Sequence, residues 1–367
     1  MKAAVISLGS TSSQWTIEEL KKYFDEVDSI NIKEIEISVG EEDVVLYKGK
    51  KLSTYDCVYA KGSFRYAPVL RAVTQELSKH AYMPISPDAF TIVHDKFLTH
   101  LVLQHSNIPM PKTYLASSVE ASQSLLEKIR YPIILKLLQG TQGKGVLFAD
   151  SHAAASSILD TLSSLNQPFI IQEYIDTGGV DTRVIVCGEK VIGGMVRRAK
   201  PNEERANIHA GGKGEAIEPS VAVKKIAIKA AKALGVDIGA IDILEGPKGP
   251  VVIEANLSPG LQGISEATGD NVAAKIAKYL YEETLKFKQQ KEGVSAEKLF
   301  GDVGIDLEEA ERSDKPQDII TNLDLRGERI VLPEIVNKIA KFKEEDETTI
   351  TIERGKIDIR KNKTNSE

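Results

Sequence analysis

Residues 132–146 read PIILKLLQGTQGKGV. An apolar run carrying one cation, Lys136, leads straight into a segment where Gly140, Gly143 and Gly145 are three of six residues. The run has the composition of a buried strand, and the loop after it has the freedom to fold backbone amides over a polyphosphate, with Lys144 as a mobile cation. The loop is not a P-loop, because GxxxxGK followed by Ser or Thr is not matched, and it is not the GxGxxG turn of dinucleotide-binding folds. Taken alone it reads equally as a plain turn. Lys136 adds weight. A lysine inside an apolar strand either snorkels to solvent at an edge or has an anionic partner, and a nucleotide phosphate supplies one.

Further along, Asp242 and Glu254 each interrupt an apolar strand, 240–244 and 251–255, on either side of the turn-rich GPKGP at 246–250. A hairpin sets these two carboxylates side by side, where they repel unless a cation joins them. Asn256 is two residues after Glu254, hence on the same strand face, and adds a neutral oxygen. Such oxygen donors suit Mg2+; the plainer reading is a solvent-facing strand that carries acids. Between loop and acidic set, Gln172-Glu173-Tyr174-Ile175 closes the apolar run 169–171. A strand end of this kind offers an acceptor to an adenine amino group, although a strand entering a loop looks the same. The basic run Arg197-Arg198-Ala199-Lys200, with Arg205, Asn207 and the turn at 209–212, favours phosphate or carboxylate binding over a solvated face.

A length of 367 residues allows two or three units with sizeable cores. The net charge of −6 argues against nucleic-acid binding, which needs an excess of Lys and Arg. No apolar run approaches the ~18 residues of a membrane span, and the short apolar amino terminus reads as a first strand, so a cytoplasmic protein is expected. Cys57 and Cys187 lack metal-site or disulfide spacing and read as structural. A strand at 3–8, a helix at 16–24 with Glu18 and Glu19 in its first turn, and a strand at 56–60 predict an α/β domain with a mostly parallel sheet over 1–87. A helix from Asp95-Lys96 through His105, strands at 132–138 and 146–149 and a helix through Leu165 fall in 88–168. Strands at 184–186 and 191–196 and a helix at 222–234 ended by Gly235 fall in 169–288. After Leu285 the polar KFKQQKEGV reads as a linker opening 289–367, where helical spacing at 330–342 and alternation at 349–359 around Arg354-Gly355 predict a small α+β module with a disordered end.

Taken in order, these motifs resemble the ATP-grasp superfamily, and within it the RimK-type ligases that add glutamate to a carboxyl terminus. The matching residues are Asp95-Lys96, KLLQGTQGKGV at 136–146, QEYI at 172–175, RRAK at 197–200, RANIHAGG at 205–212 and EANLSPGLQGI at 254–264, within a span of about 86–285. The resemblance implies an amino-terminal α/β (pre-ATP-grasp) domain and two α+β lobes that close on ATP, to which the carboxy-terminal α+β module is appended. It implies ATP contacts from Lys96, Lys136, Gly140, Thr141, Gln142, Gly143, Gly145, Gln172, Glu173, Tyr174, Ile175, Asp181, Arg205 and Asn207. Asp242, Glu254 and Asn256 would hold Mg2+ or Mn2+, as two ions, and Arg197, Arg198, Arg205 and Lys144 would act in catalysis.

In such enzymes an acceptor carboxylate attacks the γ-phosphate of ATP, and an amine converts the acyl phosphate to an amide. The expected substrates are therefore ATP, an amino acid, L-glutamate first, and a carboxylate acceptor on a protein, peptide or coenzyme. Leu257 and Lys61-Gly62-Ser63 depart from the family's usual runs, the latter at the acceptor side. Two other readings stand beside this one: a ligase for a different amino acid and a small-molecule acceptor, and a non-catalytic ATP-binding regulatory module. A homo-oligomer is expected, with a protein partner docking through the tail module.

Overall fold

Ala3 to Ser7 are buried without a break, the pattern of a strand covered on both faces. That strand, β1 (Lys2–Ser7), is the centre of a parallel three-stranded sheet in this computed structural model, flanked by β2 (Glu26–Asn31) and β6 (Cys57–Ala60). The structure describes residues 1–40, 44–138, 145–165, 167–198, 213–291, 324–326, 329–331, 348–353 and 356–361.

The first helix, α1 (Thr11–Leu20), begins earlier than its apolar spacing predicts, because Ser10 caps it by accepting from the Ser13 amide. Glu18 and Glu19 therefore sit in its last turn rather than its first, paired with Lys21 at 2.7 Å and Lys22 at 2.6 Å. A small antiparallel sheet of β3 (Ile35–Ile37), β4 (Val45–Tyr47) and β5 (Lys50–Lys51) and the helix α2 (Ala67–Leu77) complete this α/β layer. Cys57 and Cys187 are both buried and free, as structural cysteines.

A short α3 (Ala89–Ile92) precedes α4 (Lys96–His105), which starts at Lys96 because the Asp95 carboxylate accepts from the amides of Phe97 and Leu98 at 2.8 and 2.9 Å. Next comes a four-stranded antiparallel sheet in the order β7-β10-β8-β9, built from β7 (Thr113–Tyr114), β8 (Ile133–Leu137), β9 (Val146–Ala149) and β10 (Phe169–Glu173). The helices α5 (Val119–Leu126) and α6 (His152–Ser164) cover it, closing a separate core around Leu126, Leu135 and Leu159. The β8–β9 turn ends on Gly145, with φ +78°, where an added Cβ would lie 2.8 Å from the Leu137 side chain.

The larger sheet has the order β13-β12-β11-β14-β15: β11 (Val180–Cys187), β12 (Lys190–Arg198), β13 (Lys213–Ala216), β14 (Ile238–Gly246) and β15 (Gly249–Asn256). With α7 (Val221–Ala233), α8 (Gln262–Thr268) and α9 (Val272–Lys291) it shares one core with the amino-terminal layer. The Ser86 amide donates to the Gly235 carbonyl at 2.9 Å, the Asp237 amide to the Pro84 carbonyl at 2.7 Å, and the Tyr82 hydroxyl to Asp237 at 2.6 Å, so the two layers are tied directly.

The chain divides into two compact units, Met1–Phe287 and Lys288–Glu367. The expected linker from Leu285 is instead helical through Lys291; Lys and Gln are good helix formers, and their polarity marks a solvated helix end. Within the second unit β16 (Asp324–Arg326) pairs with β17 (Arg329–Val331), and β18 (Thr348–Glu353) pairs with β19 (Lys356–Lys361) as the alternation predicts. Ile330 and Val331 belong to a strand rather than the expected helix, in keeping with their β-branching. The rest of 332–342 and the chain end at 362–367 lie outside the described residues.

The β11–β12 turn rests on Gly188, whose φ is +60° and whose added Cβ would lie 2.5 Å from the Tyr279 ring. Gly188→Ala is expected to lower stability by about 1–3 kcal/mol in urea unfolding, through backbone strain and displacement of the ring.

Candidate active site

Strand alternation and register bring the charges together. Asp181 and Arg183 are two apart on β11 and share a face; Asp181 stands opposite Arg197 of β12, Arg183 opposite Asp242 of β14, and Asp242 opposite Glu254 of β15. All five line a cavity of 520 Å3, within the ~300–1,000 Å3 range of small-molecule sites.

Arg197 is buried and donates from Nε and Nη2 to the two Asp181 oxygens at 2.5 and 2.6 Å, and from Nη2 to Asp242 Oδ2 at 2.9 Å. Arg183 holds Asp242 from the other side, Nε to Oδ1 at 2.7 Å and Nη2 to Oδ2 at 2.6 Å. Burial alone would raise the Asp242 carboxyl, but the Arg183 and Arg197 guanidiniums pull it well below the usual carboxylate range. Burial raises Asp181, and the charge of Asp242 adds to it, against the bond from Arg197. The cations that join Asp242 here are two arginines, so its charge is already neutralised without a metal ion.

A second chain of contacts orients Lys136. Its ammonium donates to Gln172 Oε1 at 2.6 Å. The Gln172 amide nitrogen donates to Thr113 Oγ1 at 2.8 Å and to His100 Nε2 at 2.9 Å, and His100 Nδ1 donates to the Lys96 carbonyl at 2.6 Å. A carbonyl only accepts, so the proton sits on Nδ1 and Nε2 is the acceptor. Burial holds His100 neutral and pushes its pKa down to about 4. Burial also lowers the Lys136 ammonium, to about 8, with Glu254 opposing and Lys96 assisting that shift. Val146, Tyr174, Ile175, Leu244 and Ile253 line the same cavity with apolar side chains. Phe148 braces Tyr174 edge-on at 5.3 Å.

Lys96, Lys136, Tyr174, Ile175, Asp181, Arg197, Asp242, Glu254 and Asn256 all line this one cavity. Gln172 is close by, but its carboxamide is spent on Lys136, Thr113 and His100 rather than offered to a ligand. Glu173 is exposed, pairing through its backbone amide with the Lys112 carbonyl at 2.9 Å. Arg198 alternates to the opposite strand face from Arg197 and lies 3.5 Å from Glu215, so β-strand periodicity separates the two arginines that the sequence joined. Gly140, Thr141, Gln142, Gly143, Lys144, Arg205 and Asn207, with Ala199, Lys200 and residues 209–212, lie outside the described residues. Arg183, His100 and Lys61 were not singled out as site residues, although the spacing of Asp181 and Arg183 in VDTRVIV was a usable signal for the first.

The donor set fits a hard divalent ion. Glu254 is exposed to the cavity, Asn256 is half-buried beside it, and the guanidinium bonds leave Asp242 Oδ1 a spare lone pair. Among the described residues no three His, Cys, Asp or Glu side chains cluster as a metal site. No helix of the described residues is long and apolar enough to cross a membrane.

Residues 93–280 match the model of the RimK-like ATP-grasp domain. A "probable alpha-L-glutamate ligase" of Thioalkalivibrio sulfidiphilus is 35% identical over 250 residues, covering 67% of this chain and 83% of that protein. One of Vibrio cholerae is 32% identical over 286 residues, covering 76% and 95%. The solved ATP-grasp ligase PsnB, complexed with minimal precursor, Mg and ADP, superposes with a TM-score of 0.60 at 20% identity, over 77% of this chain and 98% of that one.

Because His100 stays neutral when folded but takes a proton near the ordinary 6.5 when unfolded, it contributes stability that is present above 6.5 and lost as pH falls toward about 4. His100→Leu is expected to flatten the acid limb of unfolding free energy against pH by up to about 1.4 kcal/mol per pH unit in that window, measured by denaturant titration of both proteins.

Proposed function

The chain belongs to the RimK-like ATP-grasp family and is an ATP-grasp ligase, and from that premise we propose that it adds L-glutamate to the carboxyl-terminal carboxylate of a protein, peptide or coenzyme. The observation that carries this reading is the placement of the cross-strand pair Asp242–Glu254 in the same cavity as Lys96 and Lys136. Oxygens for a metal-bound polyphosphate and cations for its phosphates then face one another.

ATP enters with its ring between Tyr174, Ile175 and Leu244 and its phosphates toward Lys96 and Lys136. The acceptor carboxylate oxygen bonds to the γ-phosphorus as the bond to the bridging oxygen of ADP breaks; the amine of glutamate then bonds to the acyl carbon and phosphate leaves. Asp242, Glu254 and Asn256 would hold Mg2+ or Mn2+, as two ions, which would supply charge neutralisation for the phosphoryl oxygens. Arg183 and Arg197 fix the Asp242 carboxylate, and Arg183 presents a cation where acyl-phosphate charge develops. Gln172 and His100 hold Lys136 on target, so positioning and electrostatics supply the rate and no protein nucleophile is needed. The same reading counts Gly140–Gly145, Lys144, Arg205 and Asn207 among the residues that contact the nucleotide.

In this reading residues 1–87, 88–168 and 169–288 act as the pre-ATP-grasp domain and the two lobes, and 289–367 as a docking module. A ligase for another amino acid or a small-molecule acceptor has the same site.

Incubation with ATP, Mg2+, L-glutamate and a cell extract should yield an acceptor heavier by one or more glutamyl residues in mass spectrometry, with ADP release dependent on both substrates. ADP release that ignores both would sink the ligase reading, and nucleotide binding with no product across amino acids and acceptors would favour a regulatory module. Glu254→Gln should lower kcat/KM for amide formation by roughly 100- to 1,000-fold while the protein stays folded, since Glu254 is exposed to the cavity.

A further inference from the structure

Three buried side-chain polar atoms among the described residues lack a hydrogen-bond partner: Tyr59 Oη, Lys61 Nζ and His94 Nε2. Such orphans are uncommon and each needs a reason. Two of the three belong to one cavity. Lys61 and His94 line it, and the Lys61 ammonium lies 5.4 Å from the centroid of the Tyr59 ring. Lys61 is only 4% exposed, so its charge has lost water, and an aromatic face offsets part of that loss only. Burial pushes its pKa down to about 8 and no carboxylate counters it.

The backbone places this cation where the parallel sheet meets the cavity. β1 and β6 run parallel, and their carboxyl ends, Ser7 and Lys61, both reach the cavity, as ligand sites at open parallel sheets do. The Ser258 hydroxyl donates to the Gly62 carbonyl at 3.2 Å and the Ser258 amide to Asn256 Oδ1 at 2.9 Å. Gly62, the neighbour of Lys61, is therefore tied to the turn that follows β15, while Lys96 and Lys136 reach the cavity from α4 and β8. The amino-terminal residues lining the cavity, among those described, carry no carboxylate, and Ser10, Ser13 and Ser63 line it together with Lys61.

We propose that Lys61, with these serines, binds the carboxylate of the substrate that is not the nucleotide. The ligand class is a carboxylate small enough to reach a buried ammonium, belonging either to the incoming amino acid or to the acceptor. This rests on the ligase reading of the same cavity.

The test uses the full chain and the variants Lys61→Met and Lys61→Arg. Calorimetry measures Mg2+–AMPPNP first, then L-glutamate and N-acetyl-L-glutamate on the nucleotide-loaded protein; the acetylated probe keeps the carboxylates and blocks the amine. Lys61→Met should weaken carboxylate binding by about 10- to 100-fold and leave AMPPNP affinity within about twofold, while Lys61→Arg keeps most of it. A loss confined to L-glutamate assigns the incoming amino acid, and a loss on N-acetyl-L-glutamate assigns the acceptor. Unchanged carboxylate affinity, equal loss of AMPPNP, or wild-type protein that binds AMPPNP but neither carboxylate overturns the site. Wild-type amide formation alongside any of these leaves the ligase reading standing; its absence with every amino acid removes that reading too.

Discussion

One buried guanidinium organises this molecule. Arg197 bridges Asp181 and Asp242 between three neighbouring strands, and Arg183 completes a balanced set of two cations and two anions. Buried charges persist only when paired and hydrogen-bonded, and losing one partner is far costlier than the pair is worth. The set therefore fixes the registers of β11, β12 and β14 on the cavity face. It also decides where Glu254 and Asn256 stand, because β15 pairs with β14 directly across Asp242.

From that face the rest of the site is assembled by contacts distant in sequence. The smaller sheet brings Lys136, aimed by Gln172, and Gln172 is held by His100, 72 residues away. The amino-terminal layer is pinned to the strand end after β15 by the Ser258 hydroxyl on the Gly62 carbonyl and the Leu261 amide on the Ser12 hydroxyl, 2.8 Å. Parallel strands then deliver Lys61 to the same space. Three layers so joined give one cavity lined by Lys96, Lys136 and Lys61 together with Asp242 and Glu254.

How much of this was legible in the sequence follows from the range of the forces involved. The Asp242–Glu254 pairing was readable because a hairpin is local and GPKGP marks its turn. The first helix begins at Thr11 rather than 16 because Ser10 is its N-cap, a local signal present in the sequence. Arg183 was within reach, two residues from Asp181, but its partner Asp242 is 59 residues away and only register reveals the pair. Lys61 was legible only as part of a run that departs from the family's at the acceptor side, and His100 carried no local signal. One owes its interest to a partner it lacks, the other to a hydrogen-bond chain through three elements. Arg197 and Arg198 looked equivalent as a basic run, and strand alternation separates them. The glycine loop that opened the reading is the element about which the structure says least; only Gly145, at its close, is described.

The central claim is that a carboxylate, not water, receives the γ-phosphoryl group. Its most direct test is turnover in water enriched in 18O with ATP, Mg2+, L-glutamate and an acceptor from cell extract, followed by mass analysis of the inorganic phosphate. Acyl-phosphate chemistry predicts phosphate without solvent oxygen, formed in step with amide, because its fourth oxygen comes from the acceptor. Phosphate that carries one solvent oxygen per ADP, with no amide formed, would contradict the account.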